Sequence, residues 1–156
     1  MTLKALESVL GQDRAVVHAS SVAIRGQAVL IVGPSGSGKS ELSMQLMAYG
    51  ADLVADDRVV LMTAGGGTTV SAPETIKGLI EARGMGILRA SFATDASLAA
   101  VIDLSRTETQ RLPERREVQV LSQIVPLFYN VATPHFGAAI IQFLKRGLAS
   151  SEWVHR

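Results

Sequence analysis

Cysteine is missing altogether from the 156 residues. No disulfide framework and no thiolate zinc site can be built from such a chain. A chain of this length needs neither, since it buries about 68–70% of its unfolded surface on folding. Aromatic residues make up only 4% and charged residues 19%, against 47% hydrophobic. That balance excludes a disordered chain, which lacks the apolar surface to offset the entropy of ordering. Long hydrophobic runs are absent as well. Stretches such as Ala28–Val32 fall far short of the roughly 18–20 apolar residues that span a bilayer, so no membrane partner is expected. Neither sign of charge dominates: 15 Lys and Arg face 14 Asp and Glu, a formal net charge of +1. A general electrostatic grip on nucleic acid needs clustered cations and is not expected. The first residues carry Glu7 and Asp13 and no apolar core. No signal peptide is therefore expected, and the default is a cytoplasmic chain folded as one domain over 1–156.

What is present reads as alternating short strands and two helices. Ala15–His18 and Val22–Ile24 suit short strands, with a tight turn at Arg25-Gly26-Gln27. Ala28–Val32 (AVLIV) is an apolar, β-branched run of the kind buried on both faces of a sheet. A helix is expected from Lys39 to about Tyr49, stopped at Gly50. Strands follow at Leu53–Ala55, Arg58–Met62 and Thr68–Ser71, the last two joined through Gly65-Gly66-Gly67. Pro73–Leu79 suits a helical turn, 81–86 a polar glycine-containing loop, and 107–117 a charged, solvated loop. Leu98–Leu104 and Ile124–Val131 read as strands. His135–Arg146 carries an apolar helix face ended by Gly147. Strands outnumber helices, which predicts an α/β fold with a mixed sheet.

Between the AVLIV strand and the first long helix lies GPSGSGKS, Gly33 to Ser40, which fits G-x-x-x-x-G-K-[ST] in the strand–loop–helix context that the motif requires. Glycines let the backbone coil so that its N–H groups face phosphate oxygens, and the helix N-terminus adds a partial positive charge. Gly33, Ser35, Gly36, Ser37 and Gly38 form the expected cradle. Lys39 is placed to reach the β- and γ-phosphates, and the Ser40 hydroxyl to ligate Mg²⁺. Asp56 and Asp57 follow at the end of the next apolar strand, beginning seventeen residues after Lys39. A strand beside the loop's own strand ends near the phosphates. On extended backbone the two carboxylates point to opposite faces. That suits one to accept a proton and the other to help hold Mg²⁺.

Four features occur together and in order: a His ahead of the loop in HASSVAI, the loop followed by Ser-Glu, a V-A-D-D strand end, and E-x-R-G-x-G within APETIKGLIEARGMGIL. With the Arg111-Leu112 pair and a closing strand and helix, these resemble the bacterial HPr kinase/phosphorylases over about 18–147. The resemblance implies a P-loop kinase domain with a mixed sheet, similar to phosphoenolpyruvate carboxykinase around the nucleotide. It implies ATP and Mg²⁺ as cofactors and the phosphocarrier HPr as the protein phosphorylated on serine, with phosphorolysis as the reverse reaction. Carried over residue by residue, it makes Asp56 the base for the serine hydroxyl and sets His18 near the phosphates. Arg111 then steadies the transferred phosphoryl group. Ser40, Asp57 and Glu81 surround the metal, and Lys39 contacts ATP. A homo-oligomer is a further implication, since family members form oligomers.

Two departures from the family stand out. Only about fifteen residues precede the matching core, where long members carry a further domain, so the expectation is the catalytic domain alone, with its core at about 15–147. The segment between last strand and helix reads NVATPHFGA, without the arginine of long members, which bears on phosphorolysis and leaves the kinase direction standing. The competing expectation is a nucleotide-sensing P-loop module without catalysis.

Overall fold

The AVLIV run is inaccessible from end to end. Its alternate side chains enter two separate cores. Ala28, Leu30 and Val32 join one, and Val29 and Ile31 join the other, so a strand apolar on both faces becomes the spine of a layered α/β fold. The computed structural model describes residues 2–149. In chain order its elements are α1 (Leu3–Glu7), β1 (Arg14–Val17), β2 (Ser20–Ile24), β3 (Gln27–Val32), α2 (Lys39–Ala48), β4 (Asp52–Ala55), β5 (Val59–Ala64), β6 (Gly67–Ser71), a 3-10 turn (Glu74–Ile76), β7 (Leu79–Ala82), β8 (Gly86–Arg89), β9 (Ala96–Thr107), β10 (Arg116–Val120), β11 (Gln123–Asn130) and α3 (Phe136–Arg146).

Nine strands form one mixed sheet in the order β1-β5-β6-β9-β3-β2-β4, with β11 pairing β9 and carrying β10. β3 runs parallel to β9, and β9 parallel to β11. Their C-terminal ends share one edge, where Val32 stands opposite Asp103 in register. On one face Leu42 and Leu46 of α2, Ile140, Ile141 and Leu144 of α3, and Ile80 of β7 form the core. The other face is closed by the curled outer strands and Leu6 of α1. Each fully buried Leu or Ile contributes roughly 1.5–3 kcal/mol, so the phosphate-loop strand is held from both sides. Phe143 of α3 meets Phe128 of β11 edge to face at 5.1 Å. α3 stops where Gly147, at φ 76°, returns its N–H to the Phe143 carbonyl.

Three expectations fail, each for a local reason. The segment 81–86 is part of a hairpin of β7 and β8, and only its tip is a loop. Its strands have four residues each, and only Ile80 and Leu88 turn inward, too few to show as a period. Pro73–Leu79 is helical only over Glu74–Ile76. The loop expected over 107–117 is shorter, because β9 runs on to Thr107 and β10 starts at Arg116. α1 is a further element that the sequence did not suggest.

Candidate active site

The phosphate loop leaves β3 through three glycines in the left-handed region: Gly33 (φ 154°), Gly36 (81°) and Gly38 (100°). At Gly33 a side chain is also sterically barred, since a Cβ there would lie 2.5 Å from Ser37 Oγ. At Gly36 and Gly38 a Cβ would meet nothing within 4 Å, so these residues border open space, as a phosphate cradle requires. The Lys39 ammonium folds back and donates to the carbonyls of Gly33 (2.9 Å) and Pro34 (3.1 Å). Ser37 Oγ is buried without a hydrogen-bond partner.

β4 ends at Ala55 and delivers the two aspartates to this loop. Asp56 is only 9% exposed. Its Oδ1 accepts from Ser20 Oγ (2.9 Å) and Ser40 Oγ (2.8 Å), and its Oδ2 accepts from the Glu81 N–H (3.2 Å). Three strands and the first turn of α2 thus converge on one buried carboxylate. Asp57 stands at φ 74°, a conformation that Asp tolerates better than most residues. The backbone there is not extended, yet the two side chains do diverge. The Asp57 side chain is 72% exposed, with Oδ1 3.8 Å from His18 Nδ1 and Oδ2 3.9 Å from Arg58 Nε. Such long, exposed ion pairs are worth little and leave both groups free to move.

A cleft of about 560 Å³ joins these groups. Ser35, Gly36, Gly38, Lys39 and Ser40 of the phosphate loop line it, with Ser20, Asp56, Asp57, Glu81 and Arg83. The structure therefore gathers ten of the residues singled out from sequence within one neighbourhood: Gly33, Ser35, Gly36, Ser37, Gly38, Lys39, Ser40, Asp56, Asp57 and Glu81. Among the described residues His18 meets it through Asp57. Arg111 lies outside the cleft lining, exposed in the loop between β9 and β10. That loop follows β9 off the same sheet edge as the phosphate loop, and it is anchored by Glu108. The Glu108 carboxylate pairs with Arg116 and accepts from the Thr109 and Gln110 N–H groups at 3.1 and 3.2 Å. The Arg116 guanidinium holds the Glu108 carboxyl below the usual carboxylate range, and it also stacks 4.3 Å over the Tyr129 ring. Sequence reasoning missed Ser20, a buried hydroxyl in an apolar strand, and also Arg58 beside Asp57. Only the spatial neighbours of these residues mark them out.

Among the described residues no group of three His, Cys, Asp or Glu side chains forms a metal-binding cluster on its own. Mg²⁺ does not demand one. It is commonly held by one or two carboxylates with water and substrate phosphates, and Ser40 with Asp56, 2.8 Å apart, supplies donors of that kind. Nucleotide phosphates fit the open glycine cradle beside Lys39.

Fold and site together define a P-loop α/β domain with a mixed sheet. The family model of the HPr Serine kinase C-terminal domain matches residues 11–125. An HPr kinase/phosphorylase of Acidovorax sp. (strain JS42) is 41% identical, covering 72% of this chain and 38% of that protein. The HPr kinase/phosphorylase of Geobacillus kaustophilus (strain HTA426) is 34% identical, covering 87% and 48% respectively. The structure of the Hpr(Ser) kinase/phosphatase from Coxiella burnetii superposes with a TM-score of 0.69 at 25% identity, over 85% of this chain and 94% of that one. The chain belongs to the HPr kinase C-terminal domain family. It spans less than half the length of these curated relatives. Among the described residues no helix is long and apolar enough to cross a membrane.

Proposed function

We propose that this chain is the catalytic domain of an ATP- and Mg²⁺-dependent kinase that phosphorylates a serine of HPr in the cytoplasm. One observation carries the reading. The phosphate-loop serine, Ser40, is hydrogen-bonded to the buried Asp56, while the adjacent Asp57 is exposed on the wall of the same cleft. A base needs access to the proton it abstracts. Asp56 has both oxygens engaged and little exposure, whereas Asp57 has access. The roles expected from the resemblance are therefore exchanged here: Asp57 is the base, and Asp56 orients Ser40 and the metal.

Bound Mg²⁺ would be held by Ser40 and Asp56 and would offset charge on the phosphates. Lys39 swings from the Gly33 and Pro34 carbonyls onto phosphate oxygens. Asp57 accepts the proton of the serine hydroxyl as that oxygen bonds to the γ-phosphorus and the bond to the β–γ bridging oxygen breaks, with ADP as the leaving group; His18 stands 3.8 Å from Asp57. Glu81 and Arg83 complete the cleft lining. Arg111 steadies the transferred group once its loop folds over the shared sheet edge. Most of the chemistry is positioning and charge stabilisation.

The test is incubation of the protein with HPr, ATP and Mg²⁺, read by intact mass. One added phosphoryl group on HPr is expected. ATP binding without transfer would replace this reading with that of a nucleotide-sensing module. Incubation of phosphorylated HPr with inorganic phosphate reads the reverse reaction in the same way.

A further inference from the structure

A second cavity, of about 440 Å³, lies between α3, β11 and the loop that joins β9 to β10. It shares no lining residue with the phosphate-loop cleft. Phe128 of β11 and Phe136, Ile140 and Phe143 of α3 line it, with Leu112 and Pro113 of the loop. Its size falls within the roughly 300–1,000 Å³ of small-molecule sites, which are mostly apolar with a few placed polar groups. The loop is tied to the far side of α3, where the Arg115 guanidinium donates to the Ala149 carbonyl. Leu112 and Leu148 both line the cavity and are still 55% and 48% exposed. The polar groups around it sort by sign. Its arginines are engaged: Arg115 on that carbonyl, Arg116 on the Glu108 carboxylate and the Tyr129 ring. His135 Nδ1 lies 2.6 Å from Thr133 Oγ1. Glu114 and Glu117 line the same cavity, and neither forms an ion pair among the described residues.

We propose that this cavity binds a small aromatic amine, its ring among Phe128, Phe136 and Phe143 and its ammonium toward Glu114 and Glu117. Aromatic rings gain from offset or edge-to-face contact with one another. Two carboxylates without a cationic partner attract an ammonium and repel an anion of the same shape. Phosphates are excluded, because the arginines that would receive them are already engaged. The occupant also acts on the loop. Leu112 follows Arg111 directly, so a ligand packed against Leu112 and Pro113 favours the loop as it stands, with Arg111 outside the cleft. A ligand shifts an equilibrium toward the form that it binds better. The amine thus opposes the folding of Arg111 over the sheet edge and lowers the rate of transfer without competing with the nucleotide. The binding site stands on geometry alone, whereas this effect on rate rests on the phosphotransfer reading above.

The test titrates the full chain by calorimetry with three probes that share an indole ring: tryptamine, a cation; tryptophol, neutral; and indoleacetate, an anion. Tryptamine is expected to bind at one site per chain with Kd below about 1 mM, and about tenfold more tightly than indoleacetate. Two variants locate the site, with unchanged ATP affinity as the folding control for both. Ala139→Trp, at an exposed α3 position that lines the cavity, fills it and abolishes binding of all three probes. Glu114→Gln with Glu117→Gln, both exposed, removes the preference for tryptamine. Absence of tryptamine binding, or binding that survives Ala139→Trp or competes with ATP, overturns the site. Equal affinity for the three probes in wild type overturns the assignment to an amine. Tighter tryptamine binding in Trp153→Ala overturns the proposal in favour of the chain's own C-terminal residues as the occupant. In a wild type that phosphorylates HPr, saturating tryptamine is expected to lower kcat severalfold at unchanged ATP affinity, and an unchanged kcat overturns the coupling to Arg111. A wild type that binds tryptamine but transfers nothing overturns the phosphotransfer reading alone.

Discussion

Asp56 and Asp57 are neighbours in the chain and chemically identical, yet the fold makes one the floor of the cleft and the other its rim. The floor carboxylate is held by Ser20, Ser40 and the Glu81 N–H, at separations in sequence of 36, 16 and 25 residues. Among the described residues the rim carboxylate pairs with His18 and Arg58, at 3.8 and 3.9 Å with exposed partners. The difference separates two requirements that one group cannot meet together. A group that fixes a metal-ligating hydroxyl gains from burial and saturated hydrogen bonding. A group that trades protons with an incoming substrate must stay accessible.

Matched Asp-to-Asn substitutions break the comparison at its largest effect first. Asp57→Asn keeps the left-handed backbone, since Asn also tolerates it, but it removes the carboxylate proposed as the base. Transfer to HPr is expected to fall by about 10²–10⁴-fold, the usual contribution of a general base, with ATP affinity retained. A single-turnover rate within a few-fold of wild type would return the base to Asp56.

The order reverses for stability. Asp56→Asn turns an acceptor oxygen into an N–H donor. With its NH2 toward the Glu81 N–H, two donors face each other and that N–H is unpaired; with its NH2 toward Ser20 and Ser40, both hydroxyls must turn from donating to accepting and lose their other partners or their placement. Unpairing a buried polar group costs about 1–3 kcal/mol, so urea unfolding should show a loss of that size. For Asp57→Asn the expectation is within about 0.5 kcal/mol of wild type, as for other exposed sites. Equal losses in the two variants would mean that floor and rim are not distinct.

The same contrast explains what the sequence disclosed. β3, the phosphate loop and α2 are contiguous, and each carries its own signal: a run apolar on both faces, glycines at φ 81° and 100°, and a helix closed near Gly50. The site's floor was legible as far as Lys39, Ser40 and the Asp56-Asp57 pair, though not which of the two aspartates is buried. Which aspartate is buried depends on Ser20, which comes from another strand and carries no local mark. The hairpin was hidden because each of its strands turns a single apolar side chain inward, Ile80 and Leu88, and Gly84 and Gly86 imitate a loop. β10 was hidden because an edge strand of alternating exposure, with Arg116 and Glu117 at its start, looks like a charged turn.

Arg111 is the expected site residue that the fold leaves outside the cleft, and its loop is anchored at Glu108. That carboxylate ties down its own loop through Arg116 and two N–H groups, while the Glu108 N–H donates to the Asn130 carbonyl at 2.8 Å. Arg116 lowers the folded-state pKa of Glu108 below the ordinary value of 4.5. A depressed carboxyl pKa adds stability that is complete above the unfolded value and is lost as pH falls through the folded one. The gap in unfolding free energy between wild type and Glu108→Gln should thus be full near neutral pH. It should begin to close as pH drops past 4.5 and vanish below the folded value. The pair is small and near the surface, so this is the weakest of the three effects. Its value lies in what it separates. If Glu108→Gln lowers kcat at neutral pH while ATP affinity holds, the latch positions Arg111 over the cleft. A gap that stays constant from neutral pH to well below 4.5 would remove Glu108 from that role and leave the loop to be ordered by Tyr129 and Arg116 alone.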